Sequence, residues 1–315
     1  MKVLVTGSNG FIGSALCGRL LDAGMEVRAC ARASAGAPAG TAFVQIGDLA
    51  DDVDWRVALE DVEAVVHLAA RVHVMQDVST DPLASFRRVN VDGTVRLAMQ
   101  AALAGVRRFI FISSIKVHGE HTQPGRPFCG FDPPAPQDPY GISKWVAEQQ
   151  LRQIASSTGM ELVVVRPPLV YGPGVRANFQ ALMHWLVRDW PLPLASVKNN
   201  RRSMVAVDNL IDLIATCLHH PAAAGETFLV SDGEDMSTAD LLRRLGKALG
   251  HPARLLPLSP IFLKLGATAV GRPELYQRLC GSLQADIGHT CERLGWSPPV
   301  SVNRALMQTA QGLLR

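Results

Sequence analysis

The sequence predicts an α/β fold, a doubly wound parallel sheet followed by a smaller C-terminal lobe, and three observations carry that prediction. The chain opens with Lys2-Val-Leu-Val-Thr6, an apolar β-branched run that reads as a buried strand. It breaks into Gly7-Ser-Asn-Gly10-Phe-Ile-Gly13 and then takes the apolar spacing of a helix over 14–23. Short apolar runs next alternate with helix-length segments up to residue 170. Such alternation implies parallel strands whose crossover helices cover both faces of the sheet. Past Gly172 the alternation loosens and proline and arginine become frequent.

The elements follow in order. Residues 26–31, 42–46 and 64–68 are the next three strands, 82–103 is a long helix, and 108–113 (Arg-Phe-Ile-Phe-Ile-Ser) is a fifth strand. Gln137-Asp138-Pro139 caps the helix in which Tyr140 lies early. Residues 161–166 make a sixth strand, stopped by Pro167-Pro168. Residues 33–40, rich in Ala, Gly and Ser, read as a loop. Two domains are expected, a Rossmann-like unit over 1–172 and a second lobe over 173–315 with some segments returning to the first.

Composition agrees with that size. The chain has 315 residues, 48% of them hydrophobic and 19% charged, which suffices for a substantial core. A net charge of +3 with no Lys/Arg run argues against a nucleic-acid partner. The six cysteines show no ligand spacing, so free thiols in a reducing cytoplasm are expected and no metal site is. The chain enters its first strand at once, leaving no room for a signal peptide, and no apolar run reaches the ~18 residues of a membrane span. The apolar stretch 255–271 is broken by prolines and reads as a core or dimer-facing helix.

Two groups of residues carry chemistry. Strand, glycine-rich turn and helix in that order form a site for a dinucleotide pyrophosphate: Gly7 permits the turn, Gly10 the approach of phosphate, and Gly13 close helix packing. The phosphates would meet free N–H groups at the positive end of the helix; the alternative is a glycine turn with no ligand. Tyr140 and Lys144 lie four residues apart, hence on one helix face. An adjacent ammonium is expected to lower the phenol pKa and make Tyr140 a usable acid or base.

Gly-x-x-Gly-x-x-Gly at the start and Tyr-x-x-x-Lys in mid-chain resemble the extended short-chain dehydrogenase/reductase family of NAD(P)-dependent nucleotide-sugar epimerases, dehydratases and reductases. Asp48-Leu49, His67-Leu-Ala-Ala70, Asn90-Val-Asp-Gly-Thr94, Ser113-Ser114, Arg166-Pro-Pro and Tyr171-Gly-Pro-Gly174 match in order, so the likeness runs from Lys2 to about Pro299. The resemblance implies Ser114, Tyr140 and Lys144 as catalytic residues, with Ser113 the rival to Ser114. It also implies a cofactor site of Gly7, Asn9, Gly10, Phe11, Ile12, Arg32, Asp48, Leu49, Leu68, Ala69, Ala70, Asn90, Ser113, Tyr140, Lys144 and Pro167. Substrate would meet Ser114, Lys116, Tyr140, Asn178, Arg202 and Arg278, with Arg201 as backup to Arg202 and Arg272 as a further phosphate contact. The second strand ends at Ala31-Arg32 with no carboxylate at its tip, which favours NADP over NAD. Where the family has Val-Tyr-Gly, this chain has Val117-His118-Gly119, so His118 is either a second proton relay or structural. His67 needs no chemical role, and His219-His220 are explained by helix capping.

The activity these residues imply is reduction of a UDP-4-keto-6-deoxy-N-acetylhexosamine with NADPH, for surface polysaccharide synthesis. A UDP-hexose 4-epimerase with retained NAD and a non-catalytic NADP sensor are the alternatives. A dehydratase lacks its Thr-Asp-Glu segment here. The family expectation is a homodimer through the helices at 82–103 and 140–157.

Overall fold

Continuous runs of Val, Ile and Leu, rather than alternating ones, form strands covered on both faces. The computed structural model describes residues 1–72, 81–123, 125–269, 271 and 273–314, so Arg272 lies outside the described residues. Its strands are β1 (Lys2–Thr6), β2 (Glu26–Ala31), β3 (Ala42–Gln45), β4 (Ala64–His67), β5 (Arg108–Ile112), β6 (Glu161–Arg166), β7 (Leu169–Tyr171), β8 (Met204–Ala206) and β9 (Thr227–Leu229). A seven-stranded parallel sheet has the order β3-β2-β1-β4-β5-β6-β9, and β7 pairs with β8 in a small parallel sheet. This is the Rossmann-like order, with the switch in direction between β1 and β4.

The helices in the first half are α1 (Phe11–Asp22), α2 (Arg56–Leu59), α3 (Pro82–Arg87), α4 (Gly93–Leu103) and α5 (Pro139–Thr158). They are followed by α6 (Ala177–Val187), α7 (Val207–His219), α8 (Thr238–Leu249), α9 (Pro260–Ala269), α10 (Pro273–Cys280), α11 (Gly288–Leu294) and α12 (Val302–Leu314). Period two decides which face each strand residue covers. Val3 and Val5 pack with Leu16 and Leu20 of α1 and Leu210 and Ile214 of α7. Leu4 points the other way, among Leu97 and Ala101 of α4 and Ala147 and Leu151 of α5. Each fully buried Leu or Val contributes roughly 1.5–3 kcal/mol. A third core gathers Tyr171, Phe179, Met183, Leu242, Leu245 and Leu306, with Phe11 of α1 packed against it, and so draws on residues on both sides of position 172.

Three features depart from the sequence expectation. The helix expected over 82–103 is interrupted by a π turn at Arg88–Asp92, and its extra residue carries Asn90. Strands β7, β8 and β9 have three residues each, too short to show as periodicity; β9 returns the chain to the large sheet. The apolar 255–271 stretch is not a core helix: α9 buries none of its residues, and Ile261, Phe262 and Leu265 are exposed. No helix among the described residues is long and apolar enough to cross a membrane.

A neutral histidine pins the middle of the sheet. The Thr94 hydroxyl donates to the Asn90 carbonyl (2.8 Å), so its oxygen accepts from His67 Nε2 (2.9 Å). His67 Nδ1 then accepts from the Thr6 hydroxyl (2.7 Å), whose oxygen accepts the Ala69 N–H (3.2 Å). Burial, with the Lys144 charge, pushes the imidazole down to about 3.

Two predictions follow from this packing. A Cβ on Gly93 would lie 2.5 Å from the Leu49 carbonyl oxygen, whereas Gly18 faces open space in α1. Gly93→Ala is expected to destabilise by about 1–3 kcal/mol and Gly18→Ala to stabilise by about 0.4–1 kcal/mol, both read by urea unfolding. His67 titrates near 6.5 when unfolded and near 3 when folded, so the unfolded chain binds more protons between those values and stability falls as pH falls. His67→Asn is expected to shrink the loss of stability from pH 7 to pH 5 by about 2 kcal/mol, measured by the same method.

Candidate active site

The turn after β1 has the geometry its glycines suggest. Gly7 sits at φ +67°, and a Cβ there would meet the Ala69 amide at 3.0 Å. A Cβ on Gly13 would lie 2.2 Å from the Gly7 carbonyl oxygen, so α1 rests on the turn as only glycine permits. The Gly10 amide donates to the Gly7 carbonyl. Gly10 caps α1 without a side chain and no acidic residue stands in the first turn, so the N–H groups at Phe11 and Ile12 face outward from a positive helix end. Asn9 is exposed, and the buried Ser8 hydroxyl has no hydrogen-bond partner. A glycine cradle, uncapped amides and an unsatisfied hydroxyl together fit a dinucleotide pyrophosphate.

Because all strands are parallel, their carboxyl ends gather beside this turn. Leu68, Ala69 and Ala70 follow β4, Ser113 and Ser114 follow β5, and Pro167 follows β6. The Ile115 amide donates to the Pro167 carbonyl (3.0 Å) and so ties the last two ends together. Leu49 is buried near α4 and Arg96 donates to its carbonyl. Arg32 does not stand as a free cation: it pairs with Asp48 at 3.1 Å. The Ala50 amide, together with that pair, holds the Asp48 carboxyl below its ordinary value.

Asp138 starts α5: its carboxylate accepts the Gly141 amide (2.7 Å), and Pro139 occupies the first turn. Tyr140 therefore lies at the very start of the helix, its ring edge-on to Phe86 (6.1 Å). Lys144 is buried, donates to the Ile112 carbonyl at the end of β5 (2.8 Å), and lies 4.5 Å over the Phe111 ring. Burial pushes its ammonium down to about 7, and Glu148 opposes that shift. Asn90 links these parts: its carbonyl oxygen accepts the Arg71 amide (2.7 Å), and its amide donates to the Arg71 carbonyl and the Ser143 hydroxyl (3.0 Å each).

One electrostatic expectation is corrected. Lys144 does not lower the Tyr140 phenol in this structure. Its ammonium turns toward the sheet, 6.0 Å from the Tyr140 ring centroid, and burial together with the Asp138 carboxylate pushes the phenol upward. Ser114 caps the 3-10 turn Ile115–Val117, its oxygen accepting the Lys116 amide (3.2 Å). Lys116 is held by carboxylates instead of facing out freely: its ammonium contacts Glu120 (2.8 Å) and Asp138 (2.5 Å).

His118 is packed into the fold: it stacks on Phe128 (5.3 Å) and its Nε2 accepts from Arg166, and burial together with the Arg166 charge pushes it down to about 4. In the second lobe, Arg202 is half-buried and donates to the Gly281 carbonyl, while burial and the Arg278 charge lower its pKa. Arg201 is exposed and bound to its own loop carbonyls, at Lys198 and Asn200. Asn178 is exposed in the first turn of α6, which no side chain caps. No group of three or more metal-ligating side chains occurs among the described residues. Two residues given no role by the sequence stand at the centre, Glu148 and Arg166, in a buried ion pair. The available signal was a carboxylate one turn after Lys144.

Comparison with known proteins fixes the family. Residues 3–231 match the NAD dependent epimerase/dehydratase family. A UDP-glucose 4-epimerase of Vibrio cholerae is 46% identical over 315 residues, covering 100% of this chain and 96% of that protein. Among solved structures, the UDP-glucose 4-epimerase of Thermotoga maritima with UDP-glucose superposes with a TM-score of 0.80 at 24% identity, covering 100% of this chain and 99% of that one. The UDP-glucuronic acid 4-epimerase of Bacillus cereus in complex with NAD gives a TM-score of 0.80 at 24% identity, covering 99% and 96%. At that identity the structures share the fold. The match across the glycine turn, β4, β5 and α5 extends to the whole length of the chain, which belongs to the NAD dependent epimerase/dehydratase family.

Proposed function

We propose that this protein is a UDP-hexose 4-epimerase that works with NAD. The observation that carries this reading is the full-length 46% identity to a UDP-glucose 4-epimerase. The ketoreductase expected from the sequence has no comparable support. The NADP preference read from Arg32 weakens as well, because Asp48 already partners that guanidinium and stands as a carboxylate beside it.

NAD, when bound, supplies a hydride acceptor that can also return the hydride. Residues after β1, β3, β4 and β6 would hold it: Gly7, Asn9, Gly10, Phe11 and Ile12 at the pyrophosphate, with Asp48, Leu49, Leu68, Ala69, Ala70 and Pro167 along its length. Tyr140 would exchange a proton with the 4-hydroxyl of the sugar: in its deprotonated form it would take that proton, and it would return it to the same oxygen. Ser114 donates a hydrogen bond to the reacting oxygen, which steadies the carbonyl formed at C4. Lys144 would stabilise a Tyr140 phenolate only by turning its ammonium, which in this structure donates to the Ile112 carbonyl, toward the phenol oxygen. Burial and the nearby Arg278 charge disfavour the charge of Arg202, and a diphosphate between the two guanidinium groups would offset that repulsion. Asn178, at the uncapped start of α6, adds a donor for the same phosphates. A homodimer is part of this proposal, with Leu83, Met99 and Leu103 of α3 and α4 exposed on its face.

Purified protein is expected to release NAD, not NADP, on acid denaturation and to interconvert UDP-glucose and UDP-galactose without net consumption of nicotinamide. Tyr140→Phe should lower the rate by about 10²–10⁴-fold while leaving the bound NAD in place. Stoichiometric oxidation of NADPH with UDP-4-keto-6-deoxy-N-acetylglucosamine, and no interconversion, would restore the reductase. Arg202→Met is expected to raise KM for UDP-glucose by about tenfold or more, the loss of one charge-assisted contact, with a smaller effect on kcat.

A further inference from the structure

Glu148 is a fully buried carboxylate with partners on several elements. Arg166, at the end of β6, donates to it through Nε (2.9 Å) and Nη2, and the Ser113 hydroxyl donates to the same Oε1. The third guanidinium nitrogen, Nη1, donates to His118 (2.8 Å). The Ser113 amide is also tied to β6, donating to the Val165 carbonyl at 2.7 Å. Ser114 therefore stands in a segment gripped on both sides, at Ser113 directly and at His118 through Arg166. A bidentate guanidinium–carboxylate pair is planar and directional, so it fixes orientation as well as charge.

The same carboxylate lies one helical turn after Lys144. Around Lys144 the ionisable groups are few. On α5 they are Tyr140, held protonated, and Glu148; on β4 there is His67, held neutral. β5 offers the Phe111 ring and the Ile112 carbonyl, and β6 offers Arg166, which is bound to Glu148. Arg152, on α5, lies on the far side of that carboxylate (3.5 Å). Lys116, in the 3-10 turn, is bound to Glu120 and Asp138, and Asn90 in the π turn is uncharged.

We propose that Glu148 is a positioning residue for the reaction: its carboxylate, gripping Ser113 and Arg166, orients the Ser113-Ser114 segment toward Tyr140 and places a negative charge one helical turn from the buried Lys144. The inference rests on the reading of Ser114, Tyr140 and Lys144 as the reacting group. It explains why a buried ion pair, which contributes little net stability, occupies the space between the sheet and α5.

The test separates this inference from the epimerase reading, because one readout needs no turnover. The chain has six lysines, so lysine carrying ¹³C at Cε gives six signals, and Lys144→Arg identifies the one that belongs to Lys144. Glu148→Gln retains hydrogen bonds but not charge. It is expected to lower the Lys144 titration midpoint by about one unit or more, and to move the alkaline limb of kcat/KM by the same amount. Glu148→Asp keeps the charge on a shorter arm. Its Lys144 midpoint should stay within about 0.3 units, while kcat falls about tenfold or more with KM little changed. An unchanged Lys144 midpoint in Glu148→Gln overturns the charge role, and wild-type kcat in Glu148→Asp overturns the orienting role. If Glu148→Gln does not fold, Glu148→Asp still decides the orienting role, and Lys144 in Ser113→Ala should titrate as in the wild type; a displaced midpoint there overturns the assignment of charge to Glu148. Wild-type protein lacking epimerase activity but showing the Lys144 shift would sink the function and leave this inference standing.

Discussion

Every strand of a parallel sheet ends at the same edge, and the rest of the molecule depends on that constraint. Residues far apart in sequence, at Gly7, Ala69, Ser113 and Pro167, are delivered to one rim because β1, β4, β5 and β6 run the same way. The chain then closes the rim tightly. A side chain at Gly13 would enter the Gly7 carbonyl, so the positive end of α1 stands directly at the turn. The binding edge is thus a consequence of topology and backbone contact, with few polar side chains spent on it.

Polar side chains are used instead to lock the elements that carry Ser114, Tyr140 and Lys144. Thr6, His67, Thr94 and Asn90 form one line across β1, β4 and the π turn, and Asn90 continues it to α5 through Ser143. Glu148 and Arg166 do the same between α5, β5 and β6. Each of these polar groups finds a partner, which is the condition for burying it at tolerable cost. The result is a low-dielectric setting in which Lys144 titrates near neutrality and the phenol of Tyr140 is held protonated. The ionisation of these two groups is therefore set by burial first and by the Tyr-Lys spacing second.

The region after β6 follows a different logic. Its core is joined to the large sheet by hydrogen bonds around Asp232, which accepts from Tyr171, Asn209 and the Ala206 amide. Asn209 also binds both backbone groups of Val300. This junction carries Arg202 on a strip that exchanges backbone bonds with Met236 and Leu283, so the guanidinium is fixed by its neighbours even though the loop around it is irregular.

The sequence by itself determined the sheet, the glycine turn and the spacing of Tyr140 and Lys144, because these are local: strand period, turn sterics and helix spacing are written within a few residues. It was wrong or silent where distance in sequence mattered. Arg32 read alone is a free cation, yet Asp48, sixteen residues away, pairs with it. The three-residue strands carry too little periodicity to be seen, and β9 finds its place only beside β6. The π turn depends on how α3 and α4 meet α5, and no residue within it announces an extra position. In sequence Glu148 shows only as a carboxylate four residues after Lys144 and Arg166 only as the charged end of a strand; the fold removes water from both, and that removal is what turns a carboxylate and a guanidinium into a buried pair.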